Sequence, residues 1–299
     1  MVTRVAATLG LVIMLLMGAI GAPSPASAAG SDLVANGGFE DPVVNTGSFA
    51  VLNAILGWTL AYGPGIEVQN RVAGTPNGGN QHVELDSRGS SAMYQDIATV
   101  PGVSYTVSFW VSPRPNVSAA DNVLSASWDG GVLETISSGL GGSETVWVQY
   151  AYSVTATSSL TRLQFADVGV SNSLGSYLDD VSVVEVQYGI CTLYDASKPV
   201  KSGATKPIKL QLCDSAGNNL SSPSLVLHAV NLIKVDGTVT STAVEDAGQA
   251  NPDWDFRYDA DLAGYIYNLS TGGLTTGTWQ LLFTVNGGQT VYGANFDVK

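Results

Sequence analysis

Tyr105-Thr106-Val107-Ser108-Phe109-Trp110-Val111-Ser112 is the stretch that decides the fold. In an extended chain Tyr105, Val107, Phe109 and Val111 fall on one side, and Thr106, Ser108, Trp110 and Ser112 on the other. Period-two alternation rich in aromatic and β-branched residues predicts a strand with one face on a core. Working outward, Val148, Tyr150, Tyr152 and Val154 alternate with Trp147, Gln149 and Ala151. Val83 and Leu85 alternate with His82, Glu84 and Asp86, and Leu163 and Phe165 with Arg162 and Gln164. Gly, Pro and Asn turns separate these runs at intervals of about 8–12 residues.

A second strand series begins at Tyr188 and runs through Pro207–Leu212, Leu225–Ile233, Gly264–Leu269, Thr278–Val285 and Ala294–Val298. Helical patterning is nearly absent. The expected fold class is all-β: a jelly-roll β-sandwich followed by a smaller Ig-like β-sandwich. The boundary falls at Gln187–Gly189, dividing residues 29–187 from residues 188–299. Composition marks the same place. Residues 29–187 hold four Arg, no Lys and 15 acids, whereas residues 188–299 hold six Lys, one Arg and 10 acids.

Residues 1–28 read as a secretory signal. Arg4 supplies the charge, Leu9 to Ile20 the apolar run, and Ala26-Ser27-Ala28 the small-residue cleavage site. The competing reading, an uncleaved anchor, does not account for that site. The expected location is therefore secreted or extracellular, with no membrane insertion. A net charge of −13 repels phosphate backbones and excludes nucleic acid as a natural partner. The only two cysteines, Cys191 and Cys213, are expected to form a disulfide in such a compartment.

Several motifs carry a family resemblance. Asn36-Gly37-Gly38-Phe39-Glu40, Gly57-Trp58, Gly79 to Ser87, Tyr94-Gln95-Asp96-Ile97, Tyr105 to Pro115 and Tyr177-Leu178-Asp179-Asp180-Val181 appear in that order. Over residues 32–186 the chain resembles the bacterial relatives of the DUF642 family, within the galactose-binding-like jelly rolls that include carbohydrate-binding modules. Ser202 to Leu210, Tyr265 to Thr271 and Gly277-Thr278-Trp279 resemble the PxKF-type Ig-like domain, with Leu210 in place of the usual Phe. The first resemblance implies an extracellular, polysaccharide-associated module, and the second a non-catalytic spacer.

Glu40 and Asp179, near the two ends of the first sandwich, are the candidate metal ligands. The resemblance to jelly rolls with a structural calcium implies Ca2+ between them, against the alternative of a solvated acidic strand end. Strand parity places Asp179 and Asp180 on opposite faces. The outward strand positions suggest a ligand face: His82, Glu84 and Asp86, then Trp110 with Arg114 beyond it, and Gln149, Arg162 and Gln164. An aromatic ring there would stack a sugar, and the polar groups would bond its hydroxyls. The alternative is Trp110 covered by a loop or by the second sandwich. Asp253, Asp255, Asp259 and Asp261 read as a solvated loop, and His228 as a structural residue.

Catalysis finds little support. Glu84 and Asp86 stand about 7 Å apart on one strand face, a spacing commoner in solvated faces than in glycosidase pairs. No Gly-x-Ser-x-Gly elbow, phosphate loop or His-Glu-x-x-His occurs. The expected function is a secreted, non-catalytic carbohydrate-binding protein recognising extracellular or cell-wall polysaccharide. The alternatives are a structural or adhesion protein contacting another cell-surface protein and, behind it, a polysaccharide-modifying enzyme.

Overall fold

Period-two patterning becomes strand pairing throughout. The computed structural model describes residues 31–235, 240–245, 247 and 250–299; the expected signal segment lies outside them. Twelve strands build the first sandwich: β1 (Ser48–Leu52), β2 (Ala54–Ile55), β3 (Trp58–Tyr62), β4 (Ile66–Asn70), β5 (His82–Glu84), β6 (Ala92–Ala98), β7 (Ser104–Ser112), β8 (Val123–Trp128), β9 (Gly131–Ser137), β10 (Val148–Thr155), β11 (Leu160–Asp167) and β12 (Tyr177–Glu185). They form two six-stranded sheets, β1-β4-β5-β12-β7-β10 and β2-β3-β6-β11-β8-β9.

The core lies between the two sheets. Tyr105, Val107, Phe109 and Val111 of β7 are buried in it, as the alternation requires. Phe109 meets Phe165 of β11 edge to face, with centroids 4.9 Å apart, and Phe165 contacts Trp58 at 6.0 Å. Phe39, just before Glu40, packs on Trp58 at 5.6 Å. The opening motif is thus anchored through its aromatic residue, which buries a large apolar area.

Eight strands build the second sandwich: β13 (Gly189–Thr192), β14 (Thr205–Cys213), β15 (Leu227–Lys234), β16 (Thr240–Thr242), β17 (Arg257–Asp259), β18 (Gly264–Ser270), β19 (Gly277–Val285) and β20 (Tyr292–Val298). Their sheets run β13-β14-β18-β17 and β16-β15-β19-β20. Ile208, Leu210, Leu212, Leu227, Tyr265, Phe283 and Phe296 are among the residues of its separate core. Between the sandwiches, the Glu185 carboxylate accepts the Thr290 N–H, and Asn286 Nδ2 donates to the Gly102 carbonyl at 2.5 Å.

Cys191 and Cys213 are joined, stapling β13 to β14. The bridge spans 22 residues of sequence, so removing it is expected to destabilise the second sandwich by about 3 kcal/mol. Denaturant melts of the Cys191→Ser/Cys213→Ser variant check this. The second unfolding transition should shift while the first stays in place.

Candidate functional site

The outer face of the first sheet collects most of the polar residues singled out above. Val83, Leu178 and Val111 point into the core, so their strand neighbours point away from it. Glu67 pairs across strands with Glu84, and Glu84 with Tyr177, which in turn pairs with Ser112. One pleat further, Gln69 pairs with His82, and Trp110 pairs with both Asp179 and Gln149. His82, Glu84, Trp110 and Gln149 therefore share one sheet face, as the ligand-face expectation requires.

That face is not open. His82, Glu84 and Asp86 are each 0% exposed, which corrects the expectation that they are solvent-facing. The strand parity was right, but loops cover the outer side. Trp147 donates its indole N–H to the Thr75 carbonyl at 2.9 Å, and its ring lies edge-on to His82 with centroids 5.8 Å apart. Thr145 Oγ1 donates to the same Thr75 carbonyl at 2.8 Å. Gly175 N–H donates to Glu84 Oε1 at 2.6 Å, bringing a third segment over the face. Trp110, at the other end, is partly buried.

Beneath the loops the side chains form one network. Gln69 Nε2 donates to Glu67 Oε1 at 2.8 Å and to Glu84 Oε2 at 2.6 Å. Arg114 Nη1 donates to Glu84 Oε1 at 2.6 Å and to the Ser173 carbonyl at 3.3 Å. The Tyr177 ring packs on His82 at 4.3 Å. Burial pushes Glu84 up to about 8; the Arg114 guanidinium opposes this push without cancelling it. Burial, with Arg114 adding to it, depresses His82 to about 3, so the imidazole is neutral. Gln69 Oε1 and both ring nitrogens of His82 make no hydrogen bond to the described residues. A neutral imidazole offers one donor and one acceptor. Beside aromatic rings, that pairing matches a hydroxyl-rich group.

Arg162 and Gln164 do not join this face, because β11 belongs to the other sheet. Arg162 instead forms a two-pronged pair with Asp96, at 2.8 and 2.9 Å, and lies over the Tyr94 ring. Glu67 and Gln69 were not singled out from the sequence. Their signal was the alternation in Ile66-Glu67-Val68-Gln69, which puts them on the polar side.

The two bracketing motifs do meet, on the loop Asn77–Gln81. Glu40 Oε1 accepts the N–H groups of Asn80 (2.7 Å) and Gln81 (2.9 Å). Asp179 Oδ2 accepts those of Asn77 (2.8 Å) and Gly78 (3.2 Å), and Oδ1 that of Asp180. Peptide N–H donors suit a carboxylate, and these contacts close the loop. Burial, with Asp180 adding, raises Asp179 to about 7. The parity argument for Asp180 fails: its φ is +46°, at an irregularity in the β12–β7 register. A bulge re-aims a side chain, and Asp180 Oδ2 accepts from Asn77 Nδ2 at 2.7 Å on the same loop. A Cβ on Gly78 would stand 2.6 Å from Asp180 Oδ2, so a side chain there would displace the Asp180 carboxylate. Among the described residues no three His, Cys, Asp or Glu side chains are grouped to hold a metal ion.

No family profile matches the sequence, and no curated protein matches it. Solved structures of similar shape exist at low identity. A CBM35 from Paenibacillus barcinonensis is 16% identical, covering 47% of this chain and 98% of its own, with a TM-score of 0.29. The adhesin domain of Epf from Streptococcus pyogenes is 12% identical over 86% of this chain and 85% of its own, at 0.33. An arabinose-bound α-L-arabinofuranosidase is 15% identical over 54% of this chain, at 0.39, and the match spans only 27% of its length. Among the described residues no helix is long and apolar enough to cross a membrane.

The latch and the buried acids each give a prediction. Replacing Glu40 by Gln weakens acceptance of two peptide N–H groups and is expected to cost about 1–3 kcal/mol; a chemical denaturation curve of E40Q measures it. The raised carboxylates make folding favour their protonated forms. That stability is complete below about pH 4 and is lost as pH rises through about 7 for Asp179 and about 8 for Glu84. The depressed His82 acts oppositely, its contribution being complete above 6.5 and lost toward about 3. Above pH 6.5 only the acids change, so the melting temperature should fall between pH 6.5 and 8.5, and less steeply in Glu84→Gln. A rising curve would contradict this assignment.

Proposed function

We propose that this chain is a secreted, non-catalytic glycan-binding protein that recognises an extracellular or cell-wall polysaccharide on the outer face of β4, β5, β12, β7 and β10. One observation carries the reading: the unpartnered polar atoms of Gln69 and His82 lie on the same face as Trp110, Tyr177 and Trp147. Sugars present hydroxyls at their edges and C–H groups on their faces, so a ligand needs both features from the protein. Residues 29–187 form the DUF642-like binding unit in this reading, and residues 188–299 the PxKF-type spacer. Residues 1–28 direct secretion.

A second reading, an adhesion protein contacting another cell-surface protein, draws on the partial burial of Trp110, which narrows the sugar platform. Catalysis has less to support it. Glu67 and Glu84 face each other across adjacent strands, but Gln69 and Arg114 occupy both oxygens of Glu84, and Gln69 one oxygen of Glu67. Glycosidic cleavage needs one carboxyl free to deliver a proton and another free to attack or to activate water.

Native affinity gels cast with β-galactan, arabinoxylan or β-glucan test the proposal. At least one polysaccharide should retard the full chain. Trp110→Ala should weaken that retardation at least tenfold, while Gln164→Ala, on the opposite sheet, should leave it unchanged. Undiminished retardation of Trp110→Ala would refute the assignment, and release of reducing sugar would favour the enzyme.

A further inference from the structure

The second sandwich carries its charge unevenly along its strands. Its junction with the first sandwich is made by the β19–β20 turn, where Asn286 donates to the Gly102 carbonyl and Thr290 to the Glu185 carboxylate. β20 runs away from that turn, from Tyr292 to Val298, so Lys299 marks the far end. Lys201 stands beside it, because Lys299 N–H donates to the Val200 carbonyl at 2.9 Å and Ser202 N–H to the Lys299 carbonyl at 3.2 Å. Lys206, at the outer end of β14, holds its ammonium 4.9 Å from the Tyr194 ring centroid and 3.5 Å from the Lys198 carbonyl. Lys234 ends β15 opposite Trp279, close to where Gly277 of β19 pairs with Val298. Five of the chain's six lysines therefore gather at one pole, and the sixth, Lys209, lies midway along β14.

Fewer acids stand among them. Asp195, Glu245 and Asp297 are the acids of that end among the described residues. Asp195 lies 3.9 Å from Lys198 Nζ and accepts from the Ser197 hydroxyl, and Asp297 accepts from the Thr278 hydroxyl. Asp214 after β14, Asp255 on His228 at the start of β15, and Asp259 and Asp261 at the β17–β18 turn sit toward the junction instead. The seven residues of β20 separate the two ends by about 20 Å. That exceeds the screening length of about 8 Å at physiological salt. The acids of the first sandwich therefore act only weakly at this pole, and the whole-chain charge does not set what it attracts. No arginine joins the lysines: Arg257, the one arginine of residues 188–299, lies 3.8 Å from Asp259.

We propose that this basic pole docks the chain onto an extracellular phosphodiester polymer. The proposal rests on the extracellular location in the reading above, and not on its glycan face. An ammonium is a compact point charge that meets a phosphate from any direction, and there is no guanidinium fork here to select a planar carboxylate. A repeating polyanion matches several such charges spread over one end of a sandwich. A membrane surface fits less well. Stable attachment to lipid takes an apolar insertion besides charge, and the exposed aromatic ring of the second sandwich, Trp254, adjoins Asp255 and not the lysines. The pole lies at the opposite end from the junction, so a chain held by it leaves the first sandwich free.

Biolayer interferometry of the full chain over immobilised poly(glycerol phosphate) tests this. Binding should saturate, and should weaken at least tenfold between about 0.05 and 0.15 M salt, as counterion release by several lysines requires. Lys198→Gln/Lys201→Gln/Lys299→Gln, all at exposed positions, should weaken it at least tenfold. Lys209→Gln should leave it unchanged. So should Trp110→Ala, which separates failure of this proposal from failure of the glycan reading. Phosphatidylglycerol vesicles should bind more weakly than the polymer. The proposal is overturned by a parent chain that does not bind, by a triple variant that binds as the parent does, by loss of binding in Lys209→Gln or Trp110→Ala, or by tighter binding to the vesicles.

Discussion

Capture of the loop Asn77–Gln81 by carboxylates from the two ends of the first sandwich is the constraint on which the rest depends. Glu40 arrives from the opening motif, and Asp179 and Asp180 from the closing strand. Between them they take four peptide N–H groups and one side-chain amide of that loop. The loop leads directly into β5, which carries His82 and Glu84. The latch therefore joins the chain's ends and sets the strand at the middle of the polar face. Charge-assisted bonds to peptide N–H groups are among the stronger hydrogen bonds available to a fold. Here they act where the backbone has left the sheets and has no ladder partner.

The polar face depends on that placement. A buried Glu, a neutral buried His and an Arg held by its partner are expensive to assemble, and truncating one member of a buried pair costs more than the pair contributes. The network tolerates this cost because Gln69 and Arg114 satisfy Glu84, and because Trp147 and Thr145 are tied to Thr75 above it. Among the described residues of this face discussed here, Gln69 Oε1, the Tyr177 hydroxyl and the His82 nitrogens stand outside these pairings. They mark where a ligand or solvent would complete the set.

Much of the fold was legible because strand parity is a local property. The alternation in Tyr105–Ser112 correctly assigned which side chains enter the core, and the apolar runs after Tyr188 correctly implied a second β-sandwich. The face was legible in part: His82, Glu84, Trp110 and Gln149 do share one sheet. Three things were not. Parity says which side a residue faces, not whether a loop later covers that side, so the burial of His82, Glu84 and Asp86 was missed. It says nothing of sheet membership, so Gln164 and Arg162 were placed with the wrong strands. It also fails at a bulge, and the left-handed backbone of Asp180 turned a residue expected to point away back toward its neighbour's site. Long-range pairing decides all three, and no short window of sequence contains it.

The central claim is that the outer face of the first sheet is the ligand face. An NMR titration of the 15N-labelled full chain with soluble galactan, xylan and glucan oligosaccharides tests it most directly, through the indole N–H signals of Trp110 and Trp147. The account predicts saturable shifts at both for at least one sugar, with the indoles of Trp128 and Trp279 unmoved. No shift with any of the sugars, or shifts confined to Trp128 or Trp279, would contradict it.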